Sequence, residues 1–226
     1  MNALPEGYKP SLTEAKKYFR VWDTLSNYMA HEVALAELFR NPKSPFKLND
    51  NLSSIIIKTS TLNDFYSTNI RRVYDVAKTI LNTREVDKRL QDGDPLLVED
   101  IRKVTFAQHV REESGKIVTK QKEVDNYSFA TKFCSHHQPD KFPIYDSYVD
   151  KVLCCLRKMY PEVFNFKKVD LRNYATYKKQ LDILRSHFGL QTLTYKDLDR
   201  YLWQLGKRYF SPYTDAVNGK IDYDNL

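Results

Sequence analysis

The sequence predicts an all-α fold of about eight helices. Two observations carry the prediction. Apolar residues recur at three-to-four spacing along nearly the whole 226-residue chain, and capping signatures stand at the ends of several of these stretches.

Ser11 with Glu14 makes a capping-box signature. Tyr18, Trp22, Leu25, Met29, Val33 and Ala36 then keep one face as far as Asn41-Pro42, which predicts a single long amphipathic helix. In LSSIIIKT, residues 52 to 59, the β-branched run would suit a strand. Leu52, Ile55, Ile56 and Thr59 also share a helical face that continues to Leu62, and helix is the expectation. Leu62, Phe65, Tyr66, Ile70, Val73, Ala77, Ile80 and Leu81 make the next stripe, with a break around Ser67 to Asn69. Asp94-Pro95 supplies an N-cap and a first-turn proline ahead of Leu97, Ile101 and Val104. The pattern lapses in QHVREESGKIVTKQKEVD, residues 108 to 125, which reads as an exposed loop.

Asn126 to His137 reads as a helix on Phe129, Ala130, Phe133 and Cys134, and Gln138-Pro139-Asp140 turns the chain. Val149, Val152, Leu153, Leu156 and Tyr160 trace another stripe. A helix through Tyr174, Tyr177, Leu181, Leu184 and Phe188 stops at Gly189 as a left-handed C-cap. The last begins at the Thr194/Asp197 capping pair and carries Leu198, Tyr201, Leu202, Leu205 and Tyr209. No internal repeat or low-complexity tract interrupts the pattern. Residues 1–226 read as one domain, or as two closely packed lobes: about 1–48 with the C-terminal helices, and about 50–165.

A composition of 42% hydrophobic and 29% charged residues is that of a globular protein able to fold without metal or disulfides. Three cysteines, two of them adjacent as Cys154 and Cys155, make no disulfide framework and point to a reducing compartment. No charged-then-apolar leader opens the chain and no run reaches the roughly 18 to 20 apolar residues that span a bilayer, so a soluble cytoplasmic protein with no membrane partner is expected. The net charge of +7 favours an anionic partner, nucleic acid first. Oligomeric state is not legible.

The chemistry concentrates around KFPIYDSYV, residues 141 to 149. Asp146 stands immediately before a helical stripe. There its carboxylate accepts from free backbone N–H groups and is kept ionised by the positive end of the helix dipole. A helix cap of this kind can also present an anion to a cleft. The stretch Phe142-Pro143-Ile144-Tyr145-Asp146-Ser147-Tyr148-Val149 resembles the helix-hairpin-helix DNA glycosylase superfamily, whose catalytic aspartate follows a proline-containing turn and heads a helix. FATKFCSHHQPDKFPIYDSYV and DRYLWQLGK are similar to stretches of bacterial proteins with an 8-oxoguanine DNA glycosylase-like fold.

The resemblance implies that Asp146 stabilises an oxocarbenium-like sugar while a flipped base leaves, making the chain a DNA N-glycosylase without a cofactor. It implies nucleic-acid contacts from Tyr66, Asn69, Arg71, Arg72, Lys141, Tyr145 and Ser147. Phe142 and Tyr148 are further candidate walls for the base. Lys132 is the candidate for the amine nucleophile that bifunctional members use; as an ordinary helix lysine between Phe129 and Phe133 it would be solvated. The superfamily's glycine-bearing hairpin has no counterpart, because no glycine occurs between Gly115 and Gly189. That absence favours an alternative: a glycosylase-type module that binds nucleic acid or a protein partner without chemistry.

Two further clusters call for a reading. In CSHH, Cys134, His136 and His137 lie some 20 residues before Cys154-Cys155, a spacing unlike paired zinc ligands, and no metal site is expected. NDFYSTNIRR, residues 63 to 72, reads either as a base-pocket junction or as a polar helix kink packed by Phe65 and Ile70.

Overall fold

The computed structural model describes residues 3–211; residues 1, 2 and 212–226 of the expected domain lie outside the described residues. The chain runs through α1 (Leu12–Trp22), α2 (Ser26–Phe39), α3 (Leu52–Tyr66), α4 (Val73–Asn82), α5 (Val86–Asp92) and α6 (Leu96–Arg102). Strands β1 (Lys103–Arg111) and β2 (Ile117–Asp125) follow. The chain continues through α7 (Tyr127–His137), α8 (Ser147–Met159), a 3-10 turn at Lys168–Arg172, α9 (Tyr174–His187) and α10 (Tyr195–Phe210).

The all-α expectation is therefore corrected on two counts. Among the described residues there are ten α-helices rather than about eight, and a two-stranded antiparallel sheet accompanies them. The segment expected to be a loop is most of that sheet. Val104 pairs with Val124 and Val110 with Val118, so β-branched residues meet across the ladder. The turn closes with Gly115 N–H donating to Glu112 O at 2.8 Å, and Gly115 takes a φ of +82°, which glycine supplies without strain. Arg102 fastens the hairpin's base. Its guanidinium donates to both carboxylate oxygens of Asp125, at 2.8 and 2.6 Å, and to Glu99 at 2.9 Å, and lies 4.1 Å from the Tyr127 ring centre.

The expected long first helix is two helices. Thr24 Oγ1 donates to Val21 O at 2.7 Å, the local side-chain bond by which threonine competes with a helix, and α2 starts afresh at Ser26. The break lets the Trp22 ring meet Tyr28 at 5.7 Å and Trp203 at 6.0 Å.

The structure divides into two compact units, residues 1–35 with 139–226 and residues 36–138. In the first, the buried faces of α1, α8, α9 and α10 supply Tyr18, Val21, Leu153, Leu156, Tyr177, Leu184, Tyr201 and Leu205. Gln204 Nε2 donates to Tyr18 O at 2.9 Å, and Glu32 accepts from Lys196 at 2.7 Å and from Arg200. In the second, Phe39, Ile55, Leu62, Val76, Ile80, Leu97, Ile101 and Phe133 make the core. Among the described residues no helix is long and apolar enough to cross a membrane.

Candidate functional site

Asp146 has the extended backbone of an N-cap (φ −134°, ψ 151°), and its Oδ1 accepts from Tyr148 N–H at 2.8 Å. The turn leading to it is held by α9. Lys178 Nζ donates to Lys141 O at 2.8 Å, Tyr174 Oη to Pro143 O at 2.9 Å and Tyr177 Oη to Ile144 O at 2.5 Å. Residues 174, 177 and 178 lie at i, i+3 and i+4, so one helix face captures three carbonyls within four residues of the turn. From the other side α10 approaches backbone to backbone. A Cβ on Gly206 would stand 2.6 Å from Tyr148 Cβ and 2.8 Å from Tyr148 O, which is why WQLGK carries a glycine there. Packing from two helices thus fixes the backbone on either side of Asp146, and Tyr148 N–H holds its carboxylate.

Around it, Phe142 is fully buried and stacks on Tyr174 at 6.2 Å, so it is core. Tyr145 is also buried, edge-on to Tyr177, and its hydroxyl donates to Asp150 at 3.2 Å. Burial, and then the Asp150 carboxylate, push its phenol up to about 12. Lys141 and Ser147 are exposed, Ser147 as the first residue of α8.

The second unit gathers the other predicted residues. Lys132 is not a solvated helix lysine: it is 3% exposed, donates to Ser128 Oγ at 2.6 Å and lies 5.2 Å from the centre of the Tyr66 ring. The expectation failed because nearly every residue of α7 is buried, polar positions included, with Tyr66 at the end of α3 packed against this one. Tyr66 Oη bonds His136 Nε2 at 2.9 Å.

Directly after Tyr66, Ser67 and Asn69 both adopt left-handed backbone, with φ of 47° and 59°. Asn63 holds this strained turn, accepting from Ile70 N–H at 2.8 Å and Thr68 Oγ1 at 3.0 Å while donating to Ile70 O at 3.0 Å. Asn69 and Arg71 are exposed at its tip. Arg72 is engaged locally, with Asp75 at 2.5 Å and its guanidinium 4.1 Å from the Phe106 ring.

Sequence reasoning missed a buried polar chain in this unit. Lys58, fully buried, donates to Lys47 O, Leu48 O and Asn49 Oδ1 at 3.1, 3.1 and 2.9 Å. The Asn49 amide nitrogen donates to Asp87 at 2.6 Å and reaches His137 Nε2 at 3.2 Å. That contact needs an unprotonated Nε2, and burial, with Lys58 nearby, holds His137 well below the usual imidazole range. The available signal was position: Lys58 lies three residues after Ile55 and four before Leu62, on the apolar face of α3.

The family described as HI_0787_N, N-terminal domain, matches residues 14–141, more than half of the chain, and the chain belongs to that family. The match ends before Asp146 and takes in the Tyr66 turn and Lys132. A curated protein of Haemophilus influenzae (strain ATCC 51907 / DSM 11121 / KW20 / Rd), described as an uncharacterized protein, is 43% identical over 148 residues, or 66% of this chain. The alignment covers 64% of that relative's length, less than two thirds. No solved structure matches.

Proposed function

We propose that this chain is a nucleic-acid-binding protein, acting in the cytoplasm, that cleaves the N-glycosidic bond of a damaged or modified base, with Asp146 as the carboxylate beside the sugar. The observation that carries the proposal is the immobilisation of Asp146. A positive charge developing at the anomeric carbon is stabilised best by an anion that need not reorganise; three carbonyl anchors from α9 and the Gly206 contact from α10 fix the backbone on either side of Asp146, and its Oδ1 accepts from Tyr148 N–H. The basic net charge supports phosphate contact, and the exposed Asn69 and Arg71 on a strained turn suit a strand of nucleic acid. Three free thiols suit a reducing compartment.

The absence of glycine between Gly115 and Gly189 favours a second reading, a module that binds without chemistry. β2 passes directly into α7, with Asn126 N–H on Arg102 O at 2.8 Å, where a phosphate-cradling glycine turn would otherwise stand.

Screening duplexes that carry oxidised, alkylated or deaminated bases, with alkali to reveal abasic sites, separates the two. Base release from at least one duplex is expected. Binding without release from any leaves the module, and its affinity should fall roughly 40-fold from 50 to 200 mM salt for about three phosphate contacts. Absence of binding to any duplex or single strand at low salt removes both.

A further inference from the structure

Beyond the residues above, α8 and the 3-10 turn Lys168–Arg172 border an open cavity of about 260 Å³. Asp150, Lys151, Cys154, Cys155, Lys158 and Lys168 line it, together with the ring of Phe210. Lys151, Cys154, Cys155 and Lys158 are spaced i, i+3, i+4 and i+7, so they form one face of α8. Lys168 reaches the cavity from the 3-10 turn. Three ammonium groups therefore meet one carboxylate.

That carboxylate is already engaged. Asp150 is 4% exposed, accepts from Tyr145 Oη at 3.2 Å and lies 3.7 Å from Lys168 Nζ. Burial pushes its carboxyl up, against the neighbouring Lys168 ammonium, which draws it down. Lys151 lies 5.4 Å from the centre of the Tyr148 ring, and among the described residues neither Lys151 nor Lys158 has an acidic side chain within salt-bridge distance. Surface lysines of a helix commonly pair with acids a turn away; here the intervening positions are two half-buried cysteines.

We propose that this cavity binds a phosphoryl group, with Lys151, Lys158 and Lys168 as its cationic ligands and Asp150 as the residue that positions Lys168. The ammonium groups come from separate points on two elements, and point donors of this kind suit the several oxygens of a phosphoryl group. No arginine lines the cavity, and lysine serves as a phosphate ligand in the manner of a point charge. The volume exceeds what orthophosphate alone fills, so the phosphoryl group belongs to something larger, either a free phosphorylated small molecule or a nucleic-acid strand. The inference is independent of base excision at Asp146.

The two cysteines report occupancy. Cys134 is fully buried, which leaves Cys154 and Cys155 as the thiols open to iodoacetamide. Their alkylation is followed by mass spectrometry at constant ionic strength with sodium pyrophosphate, with inorganic phosphate and with a short single-stranded oligonucleotide. Pyrophosphate at ten times its dissociation constant should slow alkylation about tenfold, because only about a tenth of the sites stay empty. Protection by pyrophosphate identifies a small-molecule source; protection by the oligonucleotide alone identifies a strand.

Protection should vanish in Lys151→Glu/Lys158→Glu, two exposed positions on α8, and persist in Asp146→Asn. Lys151→Met/Lys158→Met should lose it as well, which guards against a folding defect of the charge reversal. No protection by any of the three probes, or protection that survives both double variants, overturns the proposal.

Discussion

Gly206→Ala tests the packing that presents Asp146. In an unconstrained helix the change from glycine to alanine stabilises by about 1 kcal/mol. Here the new methyl would sit 2.6, 2.8 and 2.9 Å from Cβ, O and C of Tyr148, two of them backbone atoms that no rotamer change can move. Overpacking of this kind costs about 1–3 kcal/mol, and contact with backbone places it toward the upper end. The net expectation is a loss of about 1–2 kcal/mol, or roughly 2–8 °C in Tm for a chain of this size. Urea unfolding followed by circular dichroism measures the first and a thermal scan the second. Tyr148 N–H is also the donor to Asp146, so the same methyl should lower any base-release rate. A Tm equal to or above that of the wild type would mean that α10 does not approach α8 at this point, and the account of the fixed carboxylate would lose one of its two supports.

Tyr177→Phe leaves the buried Ile144 carbonyl without its hydroxyl donor and should cost about 1–2 kcal/mol by urea unfolding; a neutral effect would remove α9 as the anchor. Lys58 gives a pH signature: burial pulls its ammonium down to about 8, against 10.5 in the unfolded chain. Below pH 8 both states are protonated and the cost of the buried charge is fully present. Between about 8 and 10.5 the unfolded state binds more protons, so stability rises with pH. The stability of wild type minus Lys58→Met should therefore increase from pH 7.5 to 9.5, and parallel profiles would contradict the assignment.

Helix ends were the most legible feature of the sequence, because a cap is a local event. Ser11 accepts from Glu14 N–H, Thr194 and Asp197 cap each other, and Asp146 caps α8, each as its spacing predicts. The break after Tyr66 was legible for the same reason. The hairpin was not: its ladder pairs Gln108 with Lys120 and Phe106 with Lys122 between the valine pairs, and most of its residues face water. The period-two signal is weak where neither face is consistently buried. Lys132 and Lys58 were misread or missed because their burial depends on groups from elsewhere in the fold, Tyr66 for one and the 47–49 carbonyls and amide for the other. Of the candidate site, the aspartate and its turn were legible; the three anchors from α9 were not, since nothing in a tyrosine stripe marks which hydroxyl will reach a carbonyl.

Asp146→Asn is the most direct test of the central claim, measured as the single-turnover rate of base release on whichever duplex the screen identifies, with Tm recorded on the same preparation. Asparagine caps a helix about as well as aspartate and gives up chiefly the dipole interaction of a few tenths to 1 kcal/mol, so Tm should fall by no more than about 4 °C. The carboxylate's charge is lost entirely, and the rate should fall by about two to three orders of magnitude, the effect of removing one preorganised electrostatic group. A variant that releases base as fast as wild type would contradict the account and leave Asp146 as the cap of α8 alone.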